Sequence, residues 1–92
     1  MHAEDFDRRL EAALVTRPAL EQAKGILAGI RCVTPVEAYE ELTGVARHHG
    51  VQLDALAGAL VEVAAGRRPD DPLLRKVIWQ EWGDRIPNCP ND

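Results

Sequence analysis

The chain has 92 residues, of which 46% are hydrophobic and 28% are charged, and its formal net charge is -4. This length suits one compact domain with short extensions and excludes two domains. The acidic net charge disfavours an indiscriminate polyanion binder, because nonspecific affinity for nucleic acid needs many Lys and Arg contacts to phosphate. Aromatic residues are few while Ala and Leu abound, so we expect an all-helical protein.

The sequence indicates neither a membrane segment nor a secretory signal. No apolar run approaches the roughly 20 residues that are needed to cross a bilayer. The N-terminal residues lack the basic-then-apolar order of a signal peptide. We therefore expect a cytoplasmic protein in which Cys32 and Cys89 are thiols rather than partners in a disulfide.

Two helices are predicted in the first third of the chain. Residues 4–14 carry apolar side chains at helical spacing and predict a lead-in helix. Pro18 then marks a boundary, because proline is tolerated only in a first helical turn. A second helix follows through Ile30, and a turn at Cys32 and Val33 ends it. The stripe that this helix is expected to bury consists of Leu20, Ala23, Leu27 and Ile30.

A third helix is predicted by the sharpest start signal in the chain. Thr34 and Glu37 have the spacing of a capping box, and Pro35 stands at the first helical position between them. The helix should run to about residue 48, because Gly50 lies just beyond that point. Its inward-facing residues are predicted to be Ala38, Leu42, Val45 and Ala46.

Two further helices are predicted in the second half. The first of them has apolar residues at i, i+3, i+4, i+7, i+8 and i+11 and ends near Gly66. After a linker at 67–70, Asp71 caps the last helix, which has Pro72 at its first position and ends at about Trp82. The apolar positions of the earlier helix are Leu53, Leu56, Ala57, Leu60, Val61 and Ala64.

These elements divide the chain into an N-terminal helical extension at 1–15, a three-helix domain at 16–66 and a C-terminal extension at 67–92. Short loops imply antiparallel neighbours, so the three helices of the domain should form a bundle. The extension at 67–92 is expected to contain one helix and a disordered end. Its helix has too many apolar residues to remain in water, so we expect it either to cover the bundle or to form a dimer contact. Those residues are Leu73, Leu74, Val77, Ile78, Trp79 and Trp82.

The only net-positive stretch, 16–31, carries three cations that are seven residues apart. Because two helical turns take about 7.2 residues, Arg17, Lys24 and Arg31 point in nearly the same direction. Such a row can contact phosphates or base edges of folded RNA, although a solvated helix face is the simpler interpretation. Gly25 and Gly29 lie on one face of the same helix, which indicates close approach by a second helix or by a nucleic-acid backbone.

Residues 17–27, Arg-Pro-Ala-Leu-Glu-Gln-Ala-Lys-Gly-Ile-Leu, resemble the opening helix of the ANTAR family, the RNA-binding antitermination regulators of bacteria. The resemblance continues through 34–42, Thr-Pro-Val-Glu-Ala-Tyr-Glu-Glu-Leu, and through the next helix, and covers about residues 14–66. It implies a three-helix bundle whose packing positions include Ala23, Leu27, Ala38 and Leu42.

The same resemblance implies that the protein binds paired RNA hairpins with short terminal loops in a nascent leader transcript. Holding that antiterminator form keeps an overlapping terminator from forming. The candidate RNA-binding residues are Arg17, Lys24 and Gly25, which match the family motif, and Arg31, which the seven-residue spacing adds. We expect a homodimer, because an RNA with two hairpins offers a binding site to each of two domains. We expect no cofactor, membrane partner or small-molecule substrate.

Other functions fit the sequence less well. The chain contains no serine, and neither cysteine has a partner at metal-binding spacing, so we expect neither an enzyme nor a metal site. A helix-turn-helix DNA binder would need a polar recognition helix, whereas residues 53–65 offer only Asp54 and Glu62 as charges. A protein-interaction module of the same fold that does not bind RNA is the alternative.

Overall fold

The computed structural model describes residues 19–90. The predicted lead-in helix at 4–14, the boundary at Pro18 and the candidate residue Arg17 lie outside these residues. Residues 19–90 are all-helical and contain no strand, which confirms the predicted fold class. Their four helices are α1 at 19–31, α2 at Pro35–His49, α3 at Leu53–Ala64 and α4 at Pro72–Trp82.

The start and the end of α2 are where the sequence signals predict them. The Glu37 backbone N–H donates to Thr34 Oγ1 at 3.1 Å, and the Thr34 backbone N–H donates to Glu37 Oε1 at 3.0 Å. Gly50 adopts a left-handed conformation, with φ 68°, at the C-terminal cap. Hydrogen bonds from Thr34, first from its backbone and then from its side chain, stabilise the ionised carboxylate and lower the pKa of Glu37.

The start of α4 and the end of α1 also use local hydrogen bonds. Asp71 Oδ1 accepts a hydrogen bond of 2.9 Å from the Leu73 backbone N–H at the start of α4. After α1, Cys32 has a positive φ of 57°, and the Val33 backbone N–H donates to the Ala28 carbonyl at 3.1 Å. This is the left-handed turn that often closes a helix, and it confirms the predicted turn at Cys32 and Val33.

One continuous core joins all four helices. Ala23 and Leu27 of α1 are fully buried, and α3 packs against both α2 and α4. α4 therefore covers the bundle, which was the first of the two predicted alternatives for it. Leu73 and Trp79 of α4 nevertheless stay exposed, at 51% and 40%. The buried residues of α4 are Leu74, Val77, Ile78 and Trp82.

The buried surface of α3 differs from the predicted stripe. Ala59 and Val63 are buried although the stripe does not include them, whereas Ala64 is exposed although it does. The cause is that α3 has two neighbours, so burial extends around its axis beyond the single face that amphipathic spacing predicts. On α1, Leu20 and Ile30 are only half-buried.

Residues 83–90, after α4, form turns and an irregular segment. Ile86 is buried in the common core, and Cys89 packs against this core. Burial raises the pKa of the Cys89 thiol. The disordered end predicted for 67–92 stays a prediction.

Candidate nucleic-acid interface

Lys24 lies where α1 meets α2, with its side chain 23% exposed. Its ammonium Nζ is 3.0 Å from Glu21 Oε1 and 5.7 Å from the centre of the Tyr39 ring. Glu21 is itself 66% exposed, so this is a surface ion pair within one helix. Pairs of this kind contribute roughly 0–1 kcal/mol. Another anion can therefore replace Glu21 at little cost to the fold.

Arg31 lies on the same side of α1 and is paired with a carboxylate of α2. Its Nε is 3.2 Å from Glu41 Oε1, and its side chain is 39% exposed. The other oxygen of that carboxylate, Glu41 Oε2, accepts a hydrogen bond of 2.7 Å from the indole Nε1–H of Trp82. Glu41 thus joins α1 to α4, a connection that no spacing within one helix predicts.

Lys24 and Arg31, two of the three cations at seven-residue spacing, therefore both lie where α1 meets α2. Lys24 contacts Tyr39 and Arg31 contacts Glu41, and both partners belong to α2. Arg17, the third member of the predicted row, lies outside the described residues. We call the surface formed by Lys24, Arg31 and Tyr39 the α1–α2 edge.

Gly25 and Gly29 leave the backbone of α1 open. A Cβ atom built on either glycine would meet no atom of the rest of the described chain within 4 Å. Close packing of a second helix, one of the two predicted reasons for these glycines, is therefore wrong for residues 19–90. Gly25 instead lines an open recess of about 410 Å³ with Ile26 of α1 and Val61 of α3.

Tyr39 is a feature of this surface that the sequence analysis did not single out. Its side chain is exposed, at 41%, and beside it Val36 is exposed at 68%. Both are large apolar side chains on the outward side of a helix whose inward residues are small or aliphatic. A large aromatic residue next to the inward position Ala38 is the signal that could have identified it.

Comparison with known protein families identifies a matching domain. Residues 8–61 match the ANTAR domain, more than half of the chain. The chain belongs to the ANTAR domain family. ANTAR domains are RNA-binding antitermination regulators and are not an enzyme family. No curated protein and no solved structure matches the chain.

The ANTAR match contains the whole α1–α2 edge and ends at Val61, within α3. The end of α3 and all of α4 lie outside it. Glu41 belongs to the matched part and Trp82 to the unmatched part, so their hydrogen bond joins the two. A second contact does the same, because His49 Nε2 lies 2.9 Å from Glu81 Oε2.

Residues 19–90 contain no cluster of three or more His, Cys, Asp or Glu side chains that could hold a metal ion. No helix in this part of the chain is long and apolar enough to cross a membrane.

Proposed function

We propose that this ANTAR protein binds paired hairpins in a nascent leader transcript and holds them in the antiterminator form. An overlapping terminator then cannot form, and the polymerase continues through the leader. The observation that carries this proposal is a partly exposed pair of cations on the α1–α2 edge, Lys24 and Arg31, within the part of the chain that matches an RNA-binding family.

Lys24 is the central phosphate ligand in this proposal. Its side chain is 23% exposed and already contacts Glu21 and Tyr39, an arrangement that limits the side-chain entropy lost on binding. Its present partner, Glu21, is exposed and held by a weak surface pair. A backbone phosphate of RNA can therefore take the place of Glu21.

Gly25 and the two arginines complete the proposed interface. The open backbone at Gly25 lets an RNA strand approach α1 more closely than a side chain would allow. Arg17 is proposed to extend the contact because it is seven residues before Lys24. Arg31 would contribute by exchanging Glu41 for phosphate, and its guanidinium has further N–H donors besides the Nε that Glu41 occupies.

We further propose that the protein acts in the cytoplasm as a homodimer, with one ANTAR domain on each hairpin. The free protein is expected to have the mass of two chains, and its complex is expected to hold two chains per two-hairpin RNA. Light scattering of the free protein and of the purified complex measures both values. A single chain bound to the two-hairpin RNA would refute the dimer.

Charge reversal tests the proposed interface. Lys24→Glu should weaken binding to a two-hairpin leader RNA by about tenfold or more, because it replaces a phosphate ligand with a repelling charge. The matched control is Lys76→Glu, an exposed lysine of α4 outside the edge. Fluorescence anisotropy in excess unrelated RNA measures both. The proposal fails if the wild-type protein shows no preference for the hairpin RNA, or if both variants weaken binding equally.

The alternative, a protein-interaction module without RNA binding, is favoured by one observation. Leu73 and Trp79 are large apolar side chains that stay exposed on α4. Such residues are common in the buried centre of protein interfaces. The alternative predicts that Lys24→Glu leaves all binding of the protein unchanged, whereas Trp79→Ala removes a protein partner.

A further inference from the structure

An open recess lies between α1 and the end of α3, and we call it the α1–α3 recess. Its volume is about 410 Å³, and the residues that line it are Gln22, Gly25, Ile26, Val61, Ala64 and Ala65. Ile26 and Val61 are only partly buried against the core, and Ala64 is exposed. No charged side chain lines the recess, so its chemistry favours an apolar occupant over a phosphate.

The described part of the chain begins close to this recess. α1 starts at residue 19, and Gln22 lies three residues further along the same helix. Because a helix rises about 1.5 Å per residue, the chain enters α1 only about 5 Å from the level of Gln22. The residues just before α1 therefore join the bundle beside the recess.

The sequence before α1 carries an apolar face that suits such a surface. The apolar residues of the predicted lead-in helix at 4–14 follow helical spacing and are Phe6, Leu10, Ala13 and Leu14. An isolated helix of this length is marginal in water, so it needs a surface against which to pack that face. The ANTAR match begins at residue 8 and includes Leu10 together with all of α1.

The connection between the lead-in helix and α1 fits a reversal of direction. Pro18 disfavours a helical conformation in the residue before it, so we do not expect one straight helix to run from the lead-in helix into α1. Residues 15–18 connect the two, a length that is common between antiparallel helices. Such a reversal brings Leu10 to the level of the recess. The short connection also favours the segment of the same chain over that of a second copy, because it raises the effective concentration of the segment at the recess.

We propose that residues 4–14 fold back along α1 and cover the α1–α3 recess, with Leu10 packed against Ile26 and Val61. The segment then lies over Gly25, where the proposed function brings the RNA strand close to α1. RNA and the segment therefore compete for this part of α1, and the segment keeps it closed until a hairpin displaces it. The competition rests on the proposed function, whereas the covering of the recess does not.

A cross-link tests the position of the segment. The full-length protein first receives Cys32→Ala and Cys89→Ala, which remove its natural thiols. Leu10→Cys and Ala64→Cys should then form a disulfide within one chain, because Ala64 lines the recess. Ala55→Cys replaces Ala64→Cys in the control, since Ala55 is an exposed alanine of α3 that lines a different surface. Mass spectrometry after mild oxidation measures the fraction of cross-linked single chains.

A charge placed in the apolar face tests the competition. Leu10→Asp should release the segment and raise the affinity for a two-hairpin RNA a few-fold, because binding no longer requires displacement. Ala12→Asp adds the same charge on the opposite side of the predicted helix and should not raise the affinity. The added charge by itself repels phosphate, so a gain with Leu10→Asp reports release of the segment. Fluorescence anisotropy measures the affinities, and circular dichroism checks that both variants are folded.

The competition is also reciprocal. If RNA displaces the segment, hairpin RNA should slow the cross-link between Leu10→Cys and Ala64→Cys, whereas unrelated RNA should not. A cross-link that forms at the same rate with and without hairpin RNA would refute the competition.

Three outcomes of the cross-linking experiment would overturn the covering of the recess. They are the absence of a cross-link, an equal cross-link with Ala55→Cys, and a cross-link that joins two chains. The last would mean that a second copy occupies the recess. If the specific cross-link forms but Leu10→Asp and Ala12→Asp bind RNA alike, the covering stands and the competition is refuted. If the wild-type protein does not prefer hairpin RNA, the proposed function fails, while the cross-link still decides what covers the recess.

Discussion

The α1–α2 edge and α4 are opposite in character, although both consist of short helical segments with aromatic side chains. At the edge, Lys24, Arg31 and Tyr39 remain partly exposed and are held by surface contacts. In α4, Trp82 is fully buried within the common core. The edge lies within the ANTAR match and α4 lies outside it. α4 therefore contributes a fully buried side chain to the core, whereas the side chains of the edge stay at the surface.

The two regions are nevertheless joined through one carboxylate. Glu41 accepts from Arg31 at the edge and from Trp82 in α4. A carboxylate can accept several hydrogen bonds at once, so both contacts are satisfied together. Changes in α4 and at the edge can therefore be used to measure how far stability and binding are separate.

The largest expected effect is on stability, from Trp82→Ala. Removing a fully buried tryptophan leaves a cavity and takes a donor from Glu41, and should lower the free energy of unfolding by about 3–5 kcal/mol. Urea unfolding followed by circular dichroism measures it. Trp79→Ala, at a position exposed at 40%, is the control and should cost far less. Equal losses from the two variants would contradict the assignment of α4 to the core.

The next effect concerns the capping box at the start of α2. Thr34→Ala removes the Oγ1 acceptor of the Glu37 N–H and should cost about 1 kcal/mol of unfolding free energy. Thr43→Ala is the control within the same helix, because the Thr43 hydroxyl donates to the Tyr39 carbonyl one turn earlier and does not cap the helix start. If Thr34→Ala costs no more than Thr43→Ala, the capping box does not stabilise the fold.

The capping box at the start of α2 also predicts that the free energy of unfolding depends on pH. The folded-state pKa of Glu37 is lowered, so its contribution to stability is present above the ordinary pKa of a glutamate. That contribution is lost as pH falls through the lowered pKa. Glu37→Gln, which removes the titrating carboxylate that the Thr34 backbone N–H and side chain stabilise, should flatten the acidic part of a plot of unfolding free energy against pH. An unchanged acidic slope in the variant would show that other carboxylates cause it.

Gly25→Ala, in the recess between α1 and α3, should separate stability from RNA binding. Alanine in an open, mid-helix position should raise the free energy of unfolding by about 0.5–1 kcal/mol. RNA affinity should nevertheless fall, because the added methyl group keeps the RNA strand away from α1. Gly58→Ala, at an equally open glycine of α3, should bring the same kind of gain without loss of binding. Unchanged RNA affinity in Gly25→Ala would remove Gly25 from the interface.

Glu41→Gln should have the smallest effect and tests the link between the two regions. Glutamine keeps an acceptor for the Trp82 indole but loses the charge that holds Arg31, so stability should change by less than about 1 kcal/mol. RNA affinity should rise a few-fold, because Arg31 is released and a repelling charge is removed. Glu40→Gln, the exposed neighbour, controls for net charge. Weaker binding by a folded Glu41→Gln would mean that Glu41 positions Arg31 for RNA.

Local sequence signals predicted the helices well because their causes are local. The capping box at Thr34 and the left-handed glycine at Gly50 involve atoms only a few residues apart. The inward face of α2 followed from its spacing, and its four predicted residues are the ones that are buried. They are Ala38, Leu42, Val45 and Ala46.

The candidate site was predicted less completely, because its contacts join different helices. The seven-residue spacing placed Lys24 and Arg31 on one side of α1, but nothing within α1 indicates their partners Tyr39 and Glu41. The exposure of Tyr39 was also missed. It depends on which way α2 is turned against α1, and amphipathic spacing defines only the buried side.

For this protein, sequence alone determined the boundaries of α2, α3 and α4, the helical class and the placement of Lys24 and Arg31 on one side of α1, since each depends on interactions within one or two turns. Only the tertiary structure decided that α4 completes the core, that α3 is buried on two sides and that one carboxylate joins Arg31 to Trp82. The physical reason is that burial and pairing across helices depend on how separate segments pack, and that information is spread over the whole chain.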